Sequence, residues 1–215
     1  MRVFVTGTDT DVGKTEVSCA LLSVLAQRGL KPFAWKPFES GGTGDAERLW
    51  DASGRWQARA SVCTYRLETP LAPHMAAQKE GVRVDWRRVT RAFADIGPGP
   101  CVVEGAGGLH VPITAKRDVI DFIEELRLPV LLVARAGLGT INHTSLSLNA
   151  LFERKLKVLG VVLTATSPAK DEAVRLNRAE LARRFPRVTF VGPVPFVADA
   201  MKRRAAVARA LRPLL

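Results

Sequence analysis

The chain has 215 residues, 47% of them apolar, with 32 Lys and Arg against 21 Asp and Glu, for a formal net charge of +11. This length suits one sizeable core over residues 1–215, and the longest apolar runs, 128–134 and 158–163, fall far short of the roughly 20 residues of a membrane span. Basic residues are spread in pairs such as Arg87-Arg88 and Arg183-Arg184 without interleaved aromatics, so nucleic acid is not the expected partner.

The first apolar segment, over 2–6, reads as a strand entered at once, so no signal peptide is visible. It is followed at once by GTDTDVGKT at 7–15 and a helical stretch over 14–28. Strand, glycine-bounded loop and helix in that order make a phosphate cradle. Backbone N–H groups converge on an anion, Lys14 reaches β- and γ-phosphate oxygens, and the Thr15 hydroxyl is placed to ligate Mg²⁺. A nucleoside triphosphate is therefore expected, and part of the positive charge serves to draw it in. The P-loop match is inexact: five residues instead of four separate Gly7 from Gly13, and Thr8 stands where glycine is wanted.

A second strand over 32–36 delivers Lys36, Glu39 and Ser40 to a glycine-rich turn at 41–44, then to Asp45 in a helix over 44–52. A helix over 85–94 precedes a strand over 100–104, which ends in Glu104 before Gly105-Ala106-Gly107-Gly108. Beyond it, helices over 119–126, 142–154, 170–185 and 198–211 alternate with strands over 129–134, 158–164 and 188–191. Near-continuous Val, Ile and Leu in the strands implies burial on both faces. The expected fold is therefore α/β: three-layer, doubly wound, with a mostly parallel sheet and P-loop NTPase architecture.

In such a fold functional groups gather beyond the carboxyl ends of the strands. That brings Thr10, Asp11, Lys14 and Thr15 toward Lys36, Ser40, Asp45 and Glu104. Two carboxylates, a hydroxyl and phosphate oxygens suit Mg²⁺, so Thr15, Asp45 and Glu104 are the metal candidates. Taken singly, Asp45 reads equally as a helix N-cap, Glu104 as a loop carboxylate and Lys36 as a surface cation. Cys19, Cys63 and Cys101 lack ligand spacing and read as free thiols of a reducing cytoplasm. His74, His110 and His143 have no partner at meaningful spacing, and Trp35, Trp50, Trp56 and Trp86 form no stacking array; all read as packing or ordinary polar residues.

Six blocks together resemble the dethiobiotin synthetase family: GTDTDVGKT, KPFESG at 36–41, TPLAPHMAAQKEG at 69–81, VEGAGGLHVP at 103–112, GLGTINHT at 137–144 and GPVPF at 192–196. The resemblance implies a homodimer that uses ATP, Mg²⁺, 7,8-diaminononanoate and carbon dioxide or bicarbonate. Lys14 and Lys36 would clamp the charge that develops during phosphoryl transfer, and Thr10 and Ser40 would hold carbamate and diamine. Asp11, Val12, Gly13, Glu16 and Gly107 would join Lys14, Thr15 and Glu104 around the phosphates. Pro193 and Pro195 would lie by the base and Asp199 by the ribose. Gly139, Thr140, Ile141 and Asn142 would receive the substrate carboxylate across the dimer interface, at a helix N-terminus suited to an anion. Without the resemblance, that segment reads as a helix start capped by Thr140 or Asn142.

One position departs from the pattern. Family members commonly have Asn where this chain has Thr164, and a lone hydroxyl serves adenine and other bases alike, so weak selection among ATP, CTP and GTP is expected. Both catalytic lysines are expected at solvent-reachable strand or loop ends, with little effect on folding. The main rival is a nucleotide-switch ATPase of the partitioning type. That class usually carries a lysine early in its P-loop, where this chain has Asp9, and has no need of KPFESG. A larger amide ligase of cobalamin-type biosynthesis would bring a glutamine-hydrolysing domain for which 215 residues leave no room.

Overall fold

The computed structural model describes residues 1–42, 44–168 and 172–215. In chain order, β1 (Arg2–Gly7) leads through the P-loop into α1 (Lys14–Gln27), followed by β2 (Phe33–Trp35), β3 (Phe38–Ser40), α2 (Asp45–Ala52), β4 (Tyr65–Leu67), α3 (Pro73–Lys79) and α4 (Trp86–Ala94). Next come β5 (Cys101–Glu104), the hairpin β6 (Pro112–Thr114) and β7 (Arg117–Asp118), α5 (Val119–Leu126) and β8 (Val130–Arg135). The chain ends with α6 (Thr140–Glu153), β9 (Val158–Thr164), α7 (Glu172–Arg184), β10 (Phe190–Val194) and α8 (Ala200–Leu211).

Six strands form one parallel sheet in the order β10-β9-β8-β1-β5-β2. Val3, Phe4 and Val5 of the central strand are fully enclosed, as a strand covered by helices on both faces requires. One face packs Val3, Val5, Val102 and Val133 against α1 and α8. The other packs Phe4, Trp35 and Val103 around Phe122, whose ring lies 5.4–6.1 Å from those of Trp86, Trp35, Phe4 and Phe38. Trp35 also stacks on Phe93 at 5.7 Å, a pairing hidden by their separation in sequence. The chain leaves β1 toward one edge, returns through β5 and then crosses β1 to β8. The crevice this reversal opens lies at the strands' carboxyl ends, beside the P-loop.

The α/β architecture and the parallel central sheet are as expected from the sequence. Several boundaries differ. β10 runs on through Gly192-Pro193 because Val194 pairs again with Thr164 after a register irregularity. α6 starts at Thr140 behind Gly139, which has φ 89° and no side-chain cap, so neither Thr140 nor Asn142 caps it. Thr140 turns inward instead, 3.2 Å from Thr144 Oγ1. The short β3, β4, α3 and the β6/β7 hairpin have too few residues to show a periodicity. The predicted helix over 170–185 is seen from Glu172; Lys170 and Asp171, like Thr43 in the glycine turn, lie outside the described residues. Among the described residues no helix is long and apolar enough to cross a membrane.

Candidate active site

The P-loop closes on α1 through Gly13, which adopts φ 93° and caps the helix without a side chain. The N–H groups of the first turn are thus open to an external anion. Asp11, at φ 56°, takes up the extra residue of the loop in the left-handed region that Asp tolerates. Lys14 curls back over the loop and donates to Asp9 O at 2.8 Å. Burial lowers the pKa of this lysine to about 8, against the opposing pull of Glu104 and with help from Lys36. From below, Thr164 Oγ1 donates to Val12 O at 2.6 Å and lies 3.3 Å from Ala134 O. A methyl group on Gly13 would rest on Thr164 Cγ2 at 3.4 Å, so the threonine supports the loop directly.

Beside the loop, Lys36 Nζ lies 2.6 Å from Glu104 Oε1 and 3.2 Å from Asp45 Oδ2. The Thr15 hydroxyl donates to the same Glu104 Oε1 at 2.8 Å. Burial alone would weaken the Lys36 ammonium, but the two carboxylates outweigh it and hold its pKa above the ordinary lysine value. Glu104 is 0% exposed, Lys36 5% and Lys14 7%. Both lysines are therefore largely buried rather than exposed strand-end or loop-end cations, and they reach solvent only through the cleft that they line. Asp45 is the first residue of α2, behind Gly44 as N-cap. It is not a cap, and its carboxylate faces Lys36 and, at 3.7 Å, Arg48.

These groups open onto a cleft of about 760 Å³. Thr10, Asp11, Gly13, Lys14, Thr15, Glu16, Lys36, Ser40, Asp45 and Gly107 line it, while Val12 and Glu104 lie buried behind. Two buried oxygens, Glu104 Oε2 and Ser40 Oγ, have no hydrogen-bond partner among the described residues. Buried polar atoms are normally satisfied, so both suit a ligand. Sequence reasoning missed Arg48, which lines the cleft and is ion-paired to Glu16, itself shared with Arg203 at 3.3 Å. It also missed the apolar wall of Phe38, Pro70, Leu71, Pro73 and Val111. The TPLAP run was the available signal for that wall. Among the described residues no three His, Cys, Asp or Glu converge as a metal cage. A cation here would rest on Thr15, Asp45, Glu104 and the ligand's own oxygens, as Mg²⁺ commonly does.

The other expected positions are not part of this cleft. Gly139, Thr140, Ile141 and Asn142 begin α6; Thr140 is buried and Asn142 exposed. The loop before them is held by Asn177 Nδ2, which donates to Ala136 O at 2.8 Å and Gly137 O at 3.1 Å. Pro193 ends in β10, Pro195 follows it, and Asp199 caps α8 by accepting from Lys202 N at 2.8 Å. His110 does have a partner, Asp118 at 3.5 Å, outside the cleft lining.

Residues 1–204 match a family described as an AAA domain. The ATP-dependent dethiobiotin synthetase BioD of Anaeromyxobacter dehalogenans is 49% identical over 187 residues, 84% of each chain. The protein of the same description from Bacillus cereus is 38% identical over 91% of this chain and 83% of its own. The biotin biosynthesis bifunctional protein BioCD of Bordetella avium is 43% identical over 90% of this chain but 39% of its own length. Among solved structures, the signal recognition particle receptor FtsY from Elizabethkingia anophelis in complex with GDP aligns with a TM-score of 0.52 at 15% identity. That alignment covers 96% of this chain and 63% of the receptor, and it shows a shared fold alone.

Proposed function

The chain belongs to the ATP-dependent dethiobiotin synthetase family, and from that premise we propose that it closes the ureido ring of dethiobiotin from 7,8-diaminononanoate, carbon dioxide or bicarbonate, and ATP. The observation that carries this reading is the buried Lys36 ammonium, held between Glu104 and Asp45 at the edge of a P-loop cleft. An amine of the substrate takes up carbon dioxide to give a carbamate, whose oxygen attacks the γ-phosphoryl group and displaces ADP. The neighbouring amine then attacks the carbonyl of the resulting carbamic-phosphoric anhydride, closing the ring and releasing phosphate.

Negative charge accumulates on carbamate and phosphoryl oxygens throughout, so fixed cations and N–H dipoles are the main requirement. Lys14 and the first turn of α1 meet the phosphates, and Lys36 meets the carbamate side. Ser40, with its unsatisfied hydroxyl, and Thr10 orient carbamate and diamine. The all-oxygen donor set of Thr15, Asp45 and Glu104, with Glu104 Oε2 available, suits Mg²⁺, which neutralises β- and γ-phosphate charge when bound. The apolar wall from Phe38 to Val111 suits the methylene chain.

Gly139 to Asn142 do not line the cleft of their own chain. We therefore place the substrate carboxylate at the α6 N-terminus of a second copy, in a homodimer. The nucleoside would lie near Pro193, Pro195 and Asp199. Thr164 spends its one donor on Val12 O beneath the P-loop and lies outside the cleft lining, so it offers a base no paired donor and acceptor, and we take selection of ATP over CTP and GTP to be weak. The three free thiols accord with the cytoplasm.

Phosphate release that requires diaminononanoate, bicarbonate and Mg²⁺ together, with an equal amount of dethiobiotin formed, is the expected result with purified protein. Vigorous ATP hydrolysis without the diamine, and no ring-closed product with it, would overturn the proposal in favour of a nucleotide switch.

A further inference from the structure

Glu39 takes no part in the chemistry above, yet it is 1% exposed. A buried carboxylate is unfavourable unless hydrogen bonds and counter-charge hold it. Glu39 Oε1 accepts from Ala46 N at 3.0 Å, and its Oε2 lies 3.2 Å from Arg66 Nε. Arg66 is its register partner across the β3/β4 pair, so the ion pair is built into the strand alignment. Ala46 is the second residue of α2, whose N-cap Gly44 offers no side chain. Glu39 thus supplies from another strand the acceptor that a capping side chain would ordinarily provide, and its charge favours the positive end of the helix.

The residue between Gly44 and Ala46 is Asp45. One short segment, residues 36–39, grips the start of α2 twice: Lys36 Nζ holds the Asp45 carboxylate at 3.2 Å, and Glu39 Oε1 holds the next peptide N–H at 3.0 Å. The second grip fixes the backbone from which the Asp45 carboxylate is presented.

We propose that Glu39, charge-balanced by Arg66, is a positioning residue that anchors the first turn of α2 so that Asp45 is held ready for the divalent cation. This deepens the reading above and rests on Asp45 being a metal ligand. Losing a partner that orients a ligand typically weakens metal binding about 10- to 100-fold, because the ligand must be ordered when the metal binds.

The test measures Mg²⁺ binding to the ADP-bound full chain by titration calorimetry, alongside steady-state activity against free Mg²⁺, below the melting temperature of each variant. Glu39→Ala should raise the half-saturating Mg²⁺ about 10- to 100-fold. At saturating Mg²⁺ its kcat should stay within about threefold of wild type, with the KM for diaminononanoate unchanged. Glu39→Gln keeps an acceptor for Ala46 N–H and should recover most of the loss. Glu39→Asp keeps the charge but shortens the reach; it should behave like Glu39→Ala and replaces it if the alanine variant does not fold. A Mg²⁺ requirement within twofold of wild type in both shortened variants overturns the inference. So does a uniform fall in kcat and diamine affinity, which would mark a merely structural role. Asp45→Asn separates the two levels. If it leaves the Mg²⁺ requirement unmoved, the metal reading itself fails; if it shifts the requirement while Glu39→Ala does not, only the role of Glu39 fails.

Discussion

Lys36 is bound to its neighbours more tightly than a strand-end cation would be, and that changes what its removal does. Deleting one partner of a buried ion pair leaves the other charge uncompensated, typically at about 3–5 kcal/mol. Lys36→Met should therefore lower unfolding free energy by about that amount as well as reduce kcat roughly 10²-fold or more. Lys36→Met combined with Glu104→Gln should regain most of the stability and none of the activity, as read from urea melts and turnover side by side. A stable, inactive single variant would mean that the Lys36 ion pairs add nothing to folding stability. Lys14 gives a prediction in pH. Burial holds its folded pKa near 8 against 10.5 when unfolded, so between those values the unfolded chain binds more protons and the ligand-free protein gains stability as pH rises. Nucleotide phosphates favour the ammonium form, so ADP binding should take up a proton fraction near pH 8.5, little at pH 6.5, and weaken above pH 8. Calorimetry in buffers of different ionisation enthalpy measures this uptake. Equal uptake in Lys14→Arg, which stays charged throughout, would assign the proton elsewhere. Lys14, Thr15, Lys36, Asp45 and Glu104 could be named from sequence because each follows a strand or glycine loop of recognisable type. Glu39 and Arg48 could not, since a carboxylate in a short strand and an arginine in a helix carry no local mark of the partners they meet.

At the scale of elements, the P-loop depends on a strand distant in sequence. Thr164 ends β9 and donates to the carbonyl of Val12, 152 positions earlier. Thr164→Val removes that donor at nearly constant volume and leaves a buried carbonyl short of a partner, worth about 1–3 kcal/mol. The KM for ATP, CTP and GTP should rise together, roughly tenfold, and Thr164→Ser should restore all three. Wild-type kcat/KM should differ among these nucleotides by less than about 30-fold. A preference for ATP above roughly a thousandfold would show that backbone groups near Pro193 and Pro195 read the base. The long elements were legible from their apolar runs. β3 and β4 were not, because each pairs over only three residues, too few for the alternation of Tyr65, Arg66 and Leu67 to stand out; across the pair Phe38 stacks on Tyr65 and Glu39 faces Arg66.

The whole molecule raises the question of what completes the cleft. If the α6 N-terminus of a second copy receives the substrate carboxylate, two different inactive variants should complement each other. Asn142→Asp suits the test because Asn142 is exposed and an acid in the first helical turn is well tolerated, while its charge repels a carboxylate. Mixed with Lys14→Ala under subunit exchange, it should recover part of the wild-type activity; no recovery after verified exchange would place the whole site within one chain. Sequence alone determined the layered α/β class, the strand-loop-helix phosphate cradle and the family, because apolar runs, glycine spacing and ordered motifs are local properties that survive without a third dimension. Only the tertiary structure decided the strand order β10-β9-β8-β1-β5-β2, the burial of Lys36 between Glu104 and Asp45, and the grip of Glu39 and Thr164 on segments far from them in sequence. These are meetings between distant residues, set by how sheet and helices close on one another, and no periodicity along the chain encodes them.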